Sequence, residues 1–525
     1  MVTYNRTFGD HTLGGLFSIE RSEAESEYVE GSITYPYEFT NGQSNTMSAE
    51  GKGNTSFSRS ESGTLSYIGR INYAYADKYL LEFLLRSDAS TKFAPENYWG
   101  FFPSVSAGWV ISQEDWFKNN VKGIDYLKLR ASFGLTGRDN TLPWQWAQNY
   151  AMDKDKGFIF GTGTDLNAGS HITINKNISA VNRNAHWDKS YKANFGLDFN
   201  VLNNRLVFAI DGYYDWNREM LLPYKSSIPG TVGTQSAYVN YGEMDAYGVE
   251  LSVTWRDKIG KDFRYYIRPN LTFSRNRLEY KAEVARKNSW RKETGKRLYE
   301  NFVYVFDHFV ANQDEADRLN KIGYQPWGQL IPGDVVYKDL DRNGVIDDED
   351  RTAMGNPRSP ELMFGIPFGF QYKNFDFSVL LQGATNTSIL LNGAAVFDFP
   401  QFEQDKIGRV KKMHLDRWTP ETAATAKYPA LHYGTHDNNK NGNSSLFLYD
   451  ASYLRLKNVE IGYNVSPNWL RKFHVQQARI YVQGLNLLTF DKLGDVDIDP
   501  ETKSGDGASW YPIQKVFNFG IDITF

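Results

Sequence analysis

The sequence predicts an all-β fold, a transmembrane antiparallel β-barrel with long loops on one rim, on three observations. Period-2 strands recur along the chain, the connections between them alternate short and long, and the polar face of strand after strand carries charge. The last ten residues show the pattern plainly. In VFNFGIDITF (516–525), Phe517, Phe519, Ile521, Ile523 and Phe525 share one face, and Val516, Asn518, Gly520, Asp522 and Thr524 share the other. A strand face that is wholly apolar needs a cover, and lipid is the cover that a barrel supplies.

The elements follow in order. A first strand is read near 1–8 and turns at Gly9–Asp10 into a second at 11–20. After 21–63, read as loop, strands at 64–75 and 78–87 flank the tight turn ADK (76–78). Strands at 102–112 and 125–136 enclose SQEDWFKNN (112–120), the best helical stretch of the chain, with Ser112 as its expected N-cap. YLKLRASFGL sets Leu127, Leu129, Ala131, Phe133 and Leu135 against Lys128, Arg130 and Ser132. Strands at 189–201 and 205–215 meet at LNN (202–204), and those at 245–256 and 262–275 at RDKIG (256–260). GVELSVTW opposes Val249, Leu251, Val253 and Trp255 to Glu250, Ser252 and Thr254. Strands at 361–372 and 375–385 join at KN (373–374), and 447–463, 475–487 and 515–525 complete fifteen. The connections at 21–63, 88–101, 137–188, 216–244, 276–360, 386–446 and 488–514 are mostly long, as on the outer rim of an outer-membrane barrel.

Composition agrees. The 525 residues include 33 Tyr, 34 Phe, 13 Trp and 44 Gly, a mixture that favours strands and turns. No Pro-rich, Gly/Ser-rich or single-charge run divides the chain, so 1–525 is read as one domain. A net charge of −4 points to neither nucleic acid nor an anionic membrane surface as partner. The absence of cysteine excludes disulfides, thiolate metal sites and Cys nucleophiles. Mean hydropathy is −0.53 and no run suits a spanning helix, which leaves strands as the route across a bilayer. MVTYNRTFGD has neither a basic n-region nor an apolar h-region, so no signal peptide is expected there.

A soluble sandwich also alternates. Two features favour the barrel over it. Glu82, Arg86, Lys128, Arg130, Asp198, Asp211, Glu250 and Arg268 charge the polar faces, as a wet lumen would, and aromatics crowd the strand ends as interfacial girdles do.

DLDRNGVIDDED is the sharpest motif. Asp339, Asp341 and Asn343 stand at positions 1, 3 and 5, Gly344 at 6, Val345 at 7, Asp347 at 9 and Asp350 at 12 of an EF-hand-like calcium loop. Side-chain oxygens and the Val345 carbonyl are the expected ligands of calcium. Asp at position 12 reaches less far than Glu, and an acidic surface turn is the competing reading. Trp144, Trp146, Trp187, Trp290, Trp327, Trp418, Trp510 and Tyr511 fall in the long loops, where flat aromatic faces bind sugars or peptide side chains or anchor the loop itself. His432 and His436 form a possible metal pair with no third ligand beside them, so loop packing is the better reading. No nucleophile elbow, phosphate loop or dinucleotide fingerprint occurs in its proper context, and no enzymatic activity is expected.

These residues also carry a resemblance. SYIGRINYAYADKYLLEFLLRSDASTKF, WGFFPSVSAGWVIS and LKLRASFGLTG within 66–137 closely resemble the barrel of SusC-type TonB-dependent transporters of Bacteroidota. So do 194–214, VNYGEMDAYGVEL (239–251), 333–365, FDFSVLLQGATN (375–386), DRWTPE (416–421), SYLRLKNVEIGYNV (452–465), YVQGLNLLTF (481–490) and DPE (499–501). The resemblance implies TonB-energised import of glycan or peptide fragments, with a SusD-like surface lipoprotein as lid. It implies that the stripe from Phe517 to Phe525 faces lipid and ends in the signal read by the barrel-insertion machinery. It also implies a plug domain, which these residues do not match. The expectation is therefore a C-terminal portion, whose fifteen strands would be numbers eight to twenty-two of a 22-stranded barrel, partnered by a plug-bearing N-terminal part and, through it, by the TonB complex. A passive porin is the main alternative, and an outer-membrane hydrolase a weaker one.

Overall fold

The computed structural model describes residues 1–34, 52–147, 152–153, 159–160, 170–171, 173–174, 178–179, 181–224, 234–235, 238–397, 410–432, 438–471, 474–505 and 510–525. Its main feature is one sixteen-stranded sheet whose order follows the chain. The strands are β1 (Val2–Phe8), β2 (His11–Thr34), β3 (Lys52–Tyr75), β4 (Tyr79–Ser90), β5 (Trp99–Val110), β6 (Ile124–Arg138), β7 (Asp188–Val201) and β8 (Leu206–Pro223). They continue as β9 (Tyr238–Ile259), β10 (Phe263–Ile267), β11 (Asn270–Tyr280), β12 (Leu362–Tyr372), β13 (Phe375–Thr385), β14 (Tyr453–Asn464), β15 (Gln477–Asp491) and β16 (Val516–Thr524). All fifteen expected strands are present, the tenth in two pieces. Pro269 has no N–H to give a ladder, so β10 and β11 part at Arg268–Pro269, yet both pair with β9 and β12.

Tight turns follow from local chemistry. Ala76 and Asp77 sit at φ of 50° and 54°, and Lys373 at 51°, the left-handed geometry that matches hairpin twist. At 202–204 three successive residues adopt φ near 57°, and two are Asn, whose short polar side chain tolerates it.

The alternation has the expected sense, inverted from that of a soluble protein. On β4, Leu81 is 50% exposed and Phe83 45%, while Glu82 between them is more covered. Phe519 on β16 is 80% exposed. Dry cores lie instead in the connections: Ile389, Leu391, Val396, Met413, Phe447, Leu493 and Val496 form one, and Val310, Ala316, Leu319, Leu330 and Val336 another. The chain divides into two compact units, and strands β5–β9 contribute length to each. The first holds the cluster of Phe93, Phe102, Ala185, Trp187 and Leu221; the second holds both cores just named.

Three readings need correction. Much of 21–63 is not loop, because β2 runs on to Thr34 and β3 begins at Lys52. The helix at 112–120 covers only Asp115–Asn120, with Glu114 at the N-cap position; Ser112 is buried and its hydroxyl makes no hydrogen bond. The strand expected at 447–463 starts at Tyr453, since Leu448–Asp450 pairs with Ser388–Leu390 within the loops.

Candidate functional site

The connection between β11 and β12 is a small folded body. Phe306–Phe309 pairs with Val335–Tyr337, and Asn301–Tyr304 with Arg351–Met354. Between these ribbons lies the acidic loop 339–350, fastened by Ile346, which is buried with Tyr304, Val335 and Tyr337 and donates its N–H to the Tyr324 carbonyl (2.7 Å). Gly344 takes a φ of 92°, where a side chain would be strained. The turn is held by its own acids. Asp339 accepts from the N–H of Asn343 (3.2 Å) and of Gly344 (2.7 Å), and Asn343 Oδ1 accepts from Val345 (2.9 Å). Asp350, fully buried, accepts from Leu340 (2.7 Å) and Asp347 (2.8 Å) through different oxygens.

One carboxylate oxygen each from Asp339, Asp341 and Asp350 lies within 4.8 Å of the others. Three converging carboxylates suit a hard cation such as calcium. Asn343 and Asp347 are linked to each other (3.4 Å) at the edge of the cluster, and Val345 is partly exposed. Burial pushes the Asp350 carboxyl above the usual range, outweighing the N–H groups that pull it down. At Asp341 burial works the same way but loses to Lys287, whose Nζ lies 3.3 Å from Oδ2, so that carboxyl is held low. Lys287 was not singled out by the sequence reading; it sits 54 residues away along the chain.

The polar face of the sheet is a wall of paired charge. Arg130 donates to both oxygens of Asp198 and of Asp211 at 2.9–3.0 Å. Arg479 bridges Asp376 and Glu460, both at 2.5 Å, and Arg86 binds Asp88 at 2.7 Å. Two glycines leave the space for these forks: a Cβ on Gly196 would stand 2.6 Å from Asp211 Oδ1, and one on Gly462 2.4 Å from Arg479.

The aromatic candidates divide. Trp187 and Trp418 are buried, and Trp187 Nε1 donates to the Tyr98 carbonyl (2.9 Å). Trp327 packs edge-on against Tyr304 and Tyr337, and Trp290 Nε1 donates to the Glu349 carbonyl (2.8 Å). These four anchor loops. Trp144 and Trp146 form a tilted pair 5.8 Å apart with Arg183 over Trp146, while Trp510, under Lys503, and Tyr511 are exposed. His432 Nε2 is hydrogen-bonded to Asp334 Oδ1, the acceptor (2.9 Å), and His436 lies outside the described residues.

The β-barrel model of the family described as TonB dependent receptor-like matches residues 2–487. The chain belongs to the TonB-dependent receptor-like β-barrel family. Among curated relatives, this TonB-dependent barrel is 29% identical over 479 residues to TonB-dependent receptor SusC of Bacteroides thetaiotaomicron, covering 88% of this chain and 44% of that protein. It is 26% identical to TonB-dependent receptor P3 of Formosa agariphila, covering 100% and 52%. A solved structure of the RagAB peptide transporter shares the fold with a TM-score of 0.76 at 20% identity, covering 100% of this chain and 54% of that one. The chain thus spans about half the length of the relatives it matches. As a TonB-dependent receptor-like β-barrel it is an outer-membrane protein, crossing with strands, and the exposed apolar faces meet lipid.

Proposed function

We propose that this chain forms the wall of an importer that takes up glycan or peptide fragments across the outer membrane, driven by the TonB complex. The observation that carries the reading is the inverted sheet: apolar residues outward, and an ion-paired, hydrated face on the other side along which polar cargo can move. The long connections carry their own cores and so make a rigid rim on which a SusD-like lipoprotein can sit. Strands β1 and β16 stand at the ends of the sheet order, and in hydrocarbon an unpaired strand edge costs several kcal/mol per orphaned group. Further strands, together with a plug, are expected from the remainder of the transporter. RagAB is a peptide importer by name, and that name does not choose the cargo here.

Mild-detergent purification tests this reading. A SusD-like lipoprotein and a plug-bearing polypeptide should come with the barrel, and removing TonB function should abolish uptake. A species of 60 kDa that forms a heat-resistant barrel alone and conducts ions freely would make it a passive porin instead.

Calcium at Asp339, Asp341, Asn343, Val345, Asp347 and Asp350 belongs to the same proposal, as a clasp that orders the β11–β12 connection. The acids that converge support it. Calorimetric titration of the chelator-stripped transporter should show binding, lost in Asp339→Asn/Asp341→Asn. Because burial raises the Asp350 pKa, its carboxyl takes up a proton at a higher pH than an ordinary aspartate, so affinity should fall as pH drops, beginning above the usual carboxylate range. Undiminished binding by the double variant would refute the assignment. For cargo contact, Trp144, Trp146, Trp510 and Tyr511 have faces to offer, whereas Trp187, Trp327 and Trp418 serve the loops.

A further inference from the structure

Near the tight turn at 260–262, the polar face of β9 and β10 gathers four cations with no carboxylate among them. The antiparallel register sets Lys258 directly opposite Arg264, and Arg256 opposite Tyr266. Arg256 is therefore one diagonal step from both Arg264 and Arg268, all on one face. On its other side Arg264 faces Gln371 of β12. Arg268 lies over the Tyr266 ring at 4.2 Å.

These side chains line a cavity of about 710 Å³, well inside the size range of small-molecule sites. Two carboxylates also border it, and both are engaged: Asp257 with Arg205 (3.5 Å), and Asp376 with Arg479 and Asn464. Five cationic side chains against two carboxylates leave an excess of three positive charges. Elsewhere on this face Arg86, Arg130 and Arg479 each hold an acid. Among the described residues Arg256, Lys258 and Arg264 hold none. Like charges placed directly opposite across two strands destabilise the pairing. A sheet that keeps Lys258 opposite Arg264 without a resident counter-charge has the form of a site whose counter-charge arrives from outside.

We propose that this cavity binds the oxyanion of a passing cargo molecule: a carboxylate, sulfate or phosphate carried by a small solute or an oligosaccharide. The inference rests on the import reading and narrows its substrate class. Guanidinium groups present two parallel donors to such an oxyanion, and the Tyr266 ring offers a flat wall beside them.

The test titrates the purified transporter complex at low salt with tetragalacturonate, a sulfated disaccharide, inorganic phosphate and neutral maltotetraose. At least one anionic probe should bind and maltotetraose should not, and 0.5 M NaCl should weaken the binding. Arg256→Gln/Arg264→Gln should reduce affinity about tenfold or more, and Arg256→Lys/Arg264→Lys less. The three anionic arms distinguish the sources of the oxyanion. Equal binding of charged and neutral probes, or unchanged affinity in the Gln variant, would overturn the proposal. So would a Gln variant that loses thermal stability or sheds a plug while no anion binds, because the cations would then hold an acidic stretch of the protein. TonB-dependent uptake in cells is scored separately. Uptake of cargo that is indifferent to the Gln variant refutes only this inference, and absence of any energised uptake refutes the import reading while leaving the titration intact.

Discussion

Arg455→Met is expected to destabilise the transporter by about 3 kcal/mol, through release of the connection between β15 and β16. Arg455 is 1% exposed and makes three anchoring contacts: Nη2 to Asp499 (2.6 Å), Nη1 to Glu501, and Nε to Thr489 (3.0 Å). The Tyr453 hydroxyl adds a bond to Glu501 (2.9 Å), and Arg358 grips the carbonyls of Pro500 and Thr502 next to them. Breaking a buried pair by removing one partner costs about 3–5 kcal/mol, and the part-exposed acids place this case at the lower end. Protease cleavage within 492–515 and a lowered melting temperature are the readouts. Adding Asp499→Asn and Glu501→Gln should recover most of the loss, since the penalty lies in the acids left behind. A single variant that melts like the wild type would show that the cluster is decorative.

Phe519→Arg should be nearly as costly, about 2–4 kcal/mol at mid-bilayer depth, and should lower the yield of heat-modifiable barrel. Phe519 lies opposite Val482, between Phe517 and Ile521, on a face without a polar partner. Asn518→Arg is the control. Its position faces Gln483, which accepts from Asn518 Nδ2 (3.2 Å), and an added charge there meets water. Damage at 518 with silence at 519 would reverse the assignment of faces along β16.

Which features could be read from sequence depended on whether one face met lipid. Strands such as β16 and β6 alternate because Phe519 and Phe133 must be apolar while Asn518 and Arg130 face water. The far halves of β2 and β3 are mostly polar or small on both faces, with Ser56, Ser58, Ser60 and Ser62 on one and Glu23, Glu25, Glu27, Arg59 and Glu61 on the other, so they show no apolar stripe and were taken for loop. Pro269 was visible, but that β10 and β11 keep the same neighbours across it depends on the register of β9 and β12. The helix Gln313–Lys321, capped by Asn312, escaped notice because nine residues give only about two and a half turns of pattern. The acidic loop was legible because its spacing is set by a single turn. Arg455 and Lys287 were not, since their partners lie 44 and 54 residues away. The cations at 256–268 were visible as residues, but only the register shows that two of them oppose each other.

The β2–β3 hairpin has a mechanical consequence. Its rungs run without a break from His11–Tyr75 to Thr34–Lys52, but β1 reaches only Phe17 and β4 only Thr64. Among the described residues, the twelve rungs from Glu23–Gly63 onward therefore pair with no third strand and make a two-stranded ribbon about 40 Å long at ~3.4 Å per rung, tied at its base where Gly63 bonds Thr91. A two-stranded ribbon is marginally stable in water, and this one is clamped at its base alone. Amide exchange is therefore expected to quicken rung by rung from the base toward Thr34. Glu25 and Glu61 face each other and are held together by Arg59, which acts as a stop partway along the track. The height of this post is thus a thermal average, set by how many teeth are closed at any instant.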